Sequence, residues 1–447
     1  MQKGLPEELG TEDIKKLLIR FAIPSVIAMT ASSLYNITDS IFIGHGVGAL
    51  AISGLAITFP LMNLAAAFGS LVGAGSSTLM SLRLGQKDYQ SANNILGNVL
   101  SLNLIIGIAY TIVILLFLDP ILYFFGASEN TISYARDYMV IISLGNVVTH
   151  LYFGLNALLR SIGLPSKAMF ATICTVVINT IFAWFFVFVV KWGIKGAAIG
   201  TVLAQVIMLV WQLRFFSNKE MFIYIQWNTL KLKTKIVFDS LSIGLSPFLM
   251  NISGCIIIIV INQQLIKYGG DMAVGAYGII NRVASLFFMV VFGFNMGMQP
   301  IAGYNYGARQ YDRVIKTLKI TIVMATCVTT LGFLLSTCFP RAIASAFTDD
   351  ETLINMSIPA LRTVLLMYPI VGFQMVTANF FQSIGKPGKA IFLSLTRQVL
   401  ILLPCLVVFP LYWSVEGVWY SFPAADALAS IVSGLMLFYQ FRKKNMN

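Results

Sequence analysis

The sequence predicts an all-α integral membrane protein with twelve transmembrane helices in two six-helix bundles, related as parallel pseudo-two-fold repeats. Three observations predict this. Of 447 residues, 57% are hydrophobic and 11% charged, whereas a soluble domain carries about a quarter charged residues. The apolar residues also come in uncharged blocks such as "LNLIIGIAYTIVILLFL" (Leu102–Leu118) and "ATICTVVINTIFAWFFVFVV" (Ala171–Val190). About 20 such residues cross a ~30 Å hydrocarbon core as a helix. Finally, "SIGLPSKAMF" at Ser161 returns as "SIGKPGKAIF" at Ser383, identical at seven of ten positions and offset by 222 residues.

In chain order the spans are expected at 17–43, 50–80, 91–118, 131–159, 168–190, 196–217, 236–267, 272–304, 315–338, 354–382, 389–412 and 416–441. Alternating β-barrel patterning is absent, and lipid admits only helices or closed barrels. The chain starts with the polar stretch "MQKGLPEELGTEDIKK", so no cleavable signal peptide is expected. The loops are too short for a soluble catalytic domain.

The net charge of +12 is distributed by topology. Lys15, Lys16 and Arg20 precede span 1, and Arg83 and Lys87 follow span 2. Arg160 and Lys167 flank the turn after span 4, and Lys219, Lys231, Lys233 and Lys235 follow span 6. Arg309, Arg313, Lys316 and Lys319 follow span 8, Lys386 and Lys389 follow span 10, and Arg442–Lys444 close the chain. The alternate loops hold mainly Asp119, Glu129, Asp349, Asp350 and Glu351. This positive-inside asymmetry places both termini in the cytoplasm and makes the basic charge a topology signal, not a nucleic-acid footprint. The five cysteines lie in apolar segments without C-x-x-C spacing, as small core residues do.

The duplication extends beyond one turn. Gly85 and Tyr89 align with Gly307 and Tyr311 at the same offset, and Pro24 aligns with Pro247 at 223. Six spans per half is an even number, so both copies of the S-I-G-x-P turn face the same side. The repeats are then parallel, with binding surfaces where the halves meet. The expected domains are an N-terminal bundle 1–217, a cytoplasmic linker 218–235 and a C-terminal bundle 236–447. Within the turn, Gly and Pro end one helix and Lys anchors the next at the interface.

An ordered set of motifs then comes into view: "YNITDSIFIG" in span 1, "NALLRSIG" ending span 4, "GAAIGT" opening span 6, "INR" in span 8, "FFQSIGKPGKA", "LTRQ" in span 11 and "GVW" opening span 12. With six plus six spans, the chain resembles the multidrug and toxic compound extrusion (MATE) family, most closely its MepA-type bacterial branch, over nearly its whole length.

Few chemistries are open to it. The two histidines, His45 and His150, are far apart, and no P-loop, G-x-S-x-G or H-E-x-x-H pattern occurs. Neither an enzyme nor an ATP-driven pump is expected, and no cofactor beyond H⁺ or Na⁺ as coupling ion. Ionisable residues inside the spans are Asp39, Arg282, Arg397 and Asp426, with Arg362 nearer an end. Each costs at least ~2.5–3.5 kcal/mol at mid-bilayer and needs a reason. Asp39 lies fifteen residues after Pro24, and its repeat partner is Asn262, so only one half carries an acid at that depth. That asymmetry favours a coupling role over a shared scaffold role. An Asp paired with a basic residue or capping a broken helix remains the structural alternative.

The resemblance implies that Asp39 binds the coupling proton or a Na⁺ ion, that Pro24 marks a helix that bends, and that Tyr35, Asn179 and Thr201 are polar members of that site. It implies that Asn156 faces the same cavity. Family members often carry a second Asp four residues after the span 5 Asn; here that position is Ala183. The other branch uses a Glu in span 7, where this chain has Cys255. The first departure favours a single-carboxylate, proton-coupled site, with sodium coupling still open; the second argues against a C-half sodium site of that type.

Polar residues of the spans, Gln205, Gln263, Gln374, Asn379 and Gln382, are candidates for a substrate cavity, with Met and Phe as adaptable walls. Arg397 and Asp426 lie on consecutive spans and can form a buried pair; Asp426 can instead face the substrate cavity or a cation. Arg282 is expected as a structural latch near the cytoplasmic end of span 8. The resulting expectation is a monomeric bacterial inner-membrane antiporter that exports organic cations and lipophilic drugs in exchange for H⁺ or Na⁺. Its partners would be those small molecules and the lipid bilayer, with no nucleic acid. Rival readings are a flippase for a lipid-linked sugar, which needs a strongly basic cavity, and a channel or sensor.

Overall fold

The structure is a computed structural model and describes residues 7–442. The first residues of the polar N-terminal stretch, 1–6, and the closing Lys443 and Lys444 lie outside the described residues. Among the described residues, nine runs are long and apolar enough to span a membrane. Two of them each hold a break, and a bent pair completes the set, so twelve spans result.

In the first half these are α1 (Ile14–Gly46), α2 (Ala49–Gly85), α3 (Tyr89–Leu116), α4 (Ile132–Ser161), α5 (Pro165–Val189) and α6 (Gly193–Phe216). In the second half, the run Thr234–Gly307 breaks at Gly270 (φ 67°, ψ −168°) into α7 (234–269) and α8 (271–307). Next come α9 (Tyr311–Cys338) and α10, a pair Glu351–Val364 and Tyr368–Ser383 bent by 54°. The bend falls just before Pro369, which cannot donate to the preceding turn. The run Pro387–Arg442 breaks at Ser414 (φ 49°, ψ −131°) into α11 (387–413) and α12 (415–442). α5 ends in a π-turn, Phe185–Val189, and α11 carries one at Thr396–Leu402.

The duplicated turn has one backbone solution in both copies. Gly163 (φ 90°) and Gly385 (φ 70°) adopt the left-handed conformation that suits glycine. The N–H of Leu164 donates to the Leu159 carbonyl at 2.9 Å, and the N–H of Lys386 to Phe381 at 2.9 Å. Pro165 and Pro387 then open the next helix in its first turn, where a missing N–H costs nothing. The sequence repeats there because the same helix stop and start are needed twice.

Burial shows how the halves meet. One continuous core joins them: Leu17, Phe21, Met80, Leu84, Leu158 and Phe216 of the first half lie with Met298, Ile301, Phe380 and Phe381 of the second. All of these sit where odd-numbered helices begin and even-numbered helices end. At the opposite end the cores are separate. One contains Ile43, Leu55, Tyr110 and Val187. The other contains Ile261, Ile280, Leu406 and Trp419. The halves are thus clamped at one end and open a cleft at the other.

The clamp depends on backbone approach between α2 and α7. A Cβ added at Gly75 would lie 1.9 Å from the Ser240 carbonyl oxygen, and one at Gly244 1.7 Å from that of Leu71. At the same end Arg313 Nη2 donates to the carbonyls of Leu9 (3.1 Å) and Glu12 (2.7 Å), tying the N-terminal segment to the second half. Asp13 caps α1 by accepting from the N–H groups of Lys15 and Lys16 and contacts Lys316 Nζ at 3.2 Å. The bond from the Lys16 N–H, with Lys316 next in importance, holds its carboxyl below the usual carboxylate range.

The chain between α6 and α7 lies along α3. Asn98 Nδ2 donates to the carbonyls of Thr229 and Lys231, both at 3.2 Å, and its Oδ1 accepts from the Lys233 N–H at 2.8 Å. Ser101 Oγ donates to the Leu230 carbonyl at 2.6 Å. Nothing in the sequence pattern marks these α3 side chains as the clamp for that connection.

Candidate functional site

α1 runs as a helix through Pro24, which cannot donate to the Arg20 carbonyl one turn back. Asp39 lies near the other end of this helix, at 4% exposure. α1 packs against α5 and α6. α5 delivers Asn179, whose Nδ2 donates to Asp39 Oδ1 at 3.0 Å. Tyr35, one turn before Asp39 on the same helix face, places its hydroxyl 3.2 Å from Thr201 Oγ1 of α6, and both hydroxyls interact with the carboxylate. Asn179 Oδ1 is buried and has no hydrogen-bond partner among the described residues. The cluster therefore holds one carboxylate, one free amide oxygen and two hydroxyls, all oxygen atoms of the type that a proton or a hard cation takes.

Beside it lies a cavity of about 440 Å³, bordered by Tyr35, Asn146, Thr149, Asn179, Thr201 and Gln205 with Phe59, Met62 and Phe153. Gln205 accepts a hydrogen bond from Thr149. Asn156 stands behind this wall, with its Nδ2 donating to Thr172 Oγ1 at 3.0 Å. Ala183, one turn beyond Asn179, is fully buried where α5 crosses α6: a Cβ on Gly200 would sit 2.9 Å from the Ala183 nitrogen.

Of α4, sequence reasoning named only Asn156 for this cavity and missed the residues that border it. Asn146, Thr149, His150 and Phe153 recur at helical spacing on one face, and three of them line the cavity. His150, 1% exposed, bonds the Ala65 carbonyl at 3.0 Å.

In the second half, Arg397 stands in the π-turn of α11 and donates from Nε to Asp426 Oδ1 of α12 at 2.6 Å. Asp426 is 2% exposed. A cavity of about 280 Å³ is lined by Arg397, Gln374, Asn379 and Gln382, with Phe288 and Phe292 among its apolar walls. Asp426 sits behind Arg397 and is not part of the cavity wall.

Arg282 departs from its expected place. It is exposed, and it lies twelve residues from the α7–α8 break at Gly270 but twenty-five from Gly307. At 1.5 Å rise per residue it is nearer the open end than the clamped one. No hydrogen bond or ion pair of its side chain is found among the described residues, so it latches nothing in this conformation. The physical reason is direction: α8 runs from the break toward the clamp, so an early residue lies far from it.

Among the described residues no group of three or more His, Cys, Asp or Glu side chains converges as a metal site.

The family model MatE matches this sequence twice, at residues 24–185 and 243–407, once in each half. The chain belongs to the MatE family. The double match coincides with the internal repeat, so the family's unit is the half and not the whole. Among similar MatE-family proteins, the multidrug export protein MepA of Staphylococcus haemolyticus is 25% identical over 431 residues, covering 96% of this chain and 94% of that one. The solved structure of the MATE multidrug transporter DinF-BH is 34% identical with a TM-score of 0.91, covering 100% of this chain and 99% of the other. The crystal structure of a MATE protein in the bent conformation is 25% identical with a TM-score of 0.93, covering 100% and 99%. These relatives are transporters, and a twelve-helix membrane protein of this family fits a multi-pass transporter.

Proposed function

We propose that this MatE-family protein exports organic cations and lipophilic drugs by alternating access, in exchange for H⁺ or Na⁺ that binds at Asp39. The observation that carries the reading is the buried carboxylate of Asp39, held by a neutral amide, Asn179 at 3.0 Å, beside a polar cavity bordered by no Lys or Arg. Neutralising Asp39 would release its hydrogen bonds to α5 and α6 and bias α1 between straight and bent forms about Pro24. Such a two-state element couples ion entry to substrate release. The lone carboxylate, with Ala183 where family members often carry a second Asp, supports H⁺ over Na⁺. No Lys or Arg borders the cavity, which supports a cationic substrate.

In this reading residues 1–217 and 236–447 are the moving bundles and 218–235 joins them. Gln205 belongs to the N-half substrate cavity with Asn156 supporting its wall from behind, Gln374 and Asn379 belong to its C-half counterpart, and Asp426 serves as the counter-ion of Arg397. The clamped end, where the basic turns cluster, faces the cytoplasm together with both termini. The protein works as a monomer in the cytoplasmic (inner) membrane of a bacterium, without enzymatic activity or cofactor. Similarity to a structure described as the outward-facing conformation of a multidrug resistance MATE family transporter, with 25% identity and a TM-score of 0.91, supports reading the open cleft as outward-facing. A flippase for a lipid-linked sugar would need several cationic groups for a pyrophosphate, whereas the guanidinium of the C-half cavity is matched by Asp426.

Ethidium efflux from cells separates these readings. Cells producing the chain should expel the dye faster than cells with the empty vector, and equal rates would remove the exporter reading.

A further inference from the structure

The C-half cavity carries polar groups that the coupling site does not use. Arg397 holds Asp426 through Nε alone. Among the described residues neither of its Nη groups has an acceptor, and the side chain keeps 21% exposure where it borders the cavity. Around it stand three buried amide oxygens with no hydrogen-bond partner among the described residues: Asn295 Oδ1 of α8, Gln374 Oε1 of α10 and Gln398 Oε1 of α11. Asn295 is 2% and Gln374 4% exposed, and all three residues border the same cavity. Buried carbonyl oxygens without donors are costly and call for a partner.

The groups left open are complementary to one kind of molecule. The free Nη edge of a guanidinium suits the two oxygens of a carboxylate. The unpaired carbonyl oxygens suit an ammonium or other N–H donor. The Arg397–Asp426 pair makes the cavity neutral overall, so a ligand of zero net charge leaves no uncompensated charge when desolvated. Phe288 and Phe292 offer aromatic walls, and about 280 Å³ admits a compact ring system. The N-half cavity also has aromatic walls and one unpaired amide oxygen, Asn179 Oδ1, but it lies beside the unbalanced carboxylate of Asp39 and has no guanidinium.

We infer that the C-half cavity is a second binding site, selective for small aromatic zwitterions whose carboxylate meets Arg397 and whose ammonium or N–H meets the amide oxygens of Asn295, Gln374 and Gln398. This goes beyond ion coupling at Asp39 and does not depend on it, because it concerns equilibrium binding without any gradient.

The test is fluorescence anisotropy with the full-length chain in lipid nanodiscs. The probes are the fluorescent amino acid L-(7-hydroxycoumarin-4-yl)ethylglycine and its methyl ester, which differ only at the carboxylate. The acid should bind saturably, with the ester at least about 10-fold weaker, the scale on which a charge-assisted contact discriminates. Arg397→Lys retains a cation for Asp426 but loses the planar fork; it should weaken the acid about 10-fold and leave the ester within about 2-fold. Gln374→Leu removes an amide without touching the ion pair and should also weaken the acid, and it serves if the lysine variant fails to fold. Lack of acid binding to the wild type, equal affinity for acid and ester, or unchanged acid affinity in Gln374→Leu would each overturn the inference.

Discussion

Asp39 in α1 is held by a neutral amide, Asn179 at 3.0 Å, while Asp426 in α12 is held by a guanidinium, Arg397 at 2.6 Å. Both carboxylates are almost fully buried, at 4% and 2% exposure. The difference lies in what each can exchange. A carboxylate among neutral donors can take up a proton or cation and give it back, because nothing else balances its charge. One locked to an arginine is already balanced, and removing either partner leaves a buried unpaired charge. The repeat built two similar halves; in the proposed reading the charges placed in them make one half an ion site and the other a neutral pocket.

The largest effect should come from breaking the C-half pair. Arg397→Ala leaves Asp426 buried and unpaired, which costs about 3–5 kcal/mol. Replacing both by Leu should restore most of that loss, whereas the isosteric Asp39→Asn should cost under about 1 kcal/mol, since no charge partner is stranded. Thermal unfolding in detergent checks all three. Equal losses for Arg397→Ala and Asp39→Asn would erase the distinction.

A smaller effect is expected at the amide. Asn179→Leu removes the donor at 3.0 Å from Asp39. A hydrogen bond to a charged group is worth about 1.5–3 kcal/mol, so gradient-driven efflux should slow by about 10- to 100-fold, read as the initial rate of ethidium release. An unchanged rate would show that Asn179 is mere packing.

The smallest concerns a carboxylate in water. Asp13 has its folded pKa below its usual value of 3.8, through the Lys16 N–H first and then Lys316. A lowered folded pKa gives stability that is present above the unfolded value and lost as pH falls through the folded one. Wild type should therefore melt above Asp13→Ala at neutral pH, and the gap should close only below about pH 3.8. A gap that closed near neutrality would mean another group is responsible.

Much of the fold was legible because hydrocarbon sets span length and because the turns at Gly163 and Gly385 need the same Gly–Pro chemistry. The breaks at Gly270 and Ser414 were located within a few residues by the fall in apolar character. Asp39 stood out because an acid inside a span has to be explained, and its contact with Asn179, 140 residues away, followed from family resemblance alone. What remained hidden depends on tertiary approach: the α4 face with Asn146 and Thr149, the Asn98 clamp on the connecting segment, and the open side on which Arg282 lies. Periodicity reports a polar face; it does not report which neighbouring helix that face meets.

The most direct measurement is ethidium efflux from membrane vesicles containing wild type or Asp39→Asn, under separately imposed pH and sodium gradients. The account predicts that wild type responds to the pH gradient and that Asp39→Asn, present at equal amount in the membrane, does not respond to either. Normal transport by Asp39→Asn would contradict it and turn attention to Asp426.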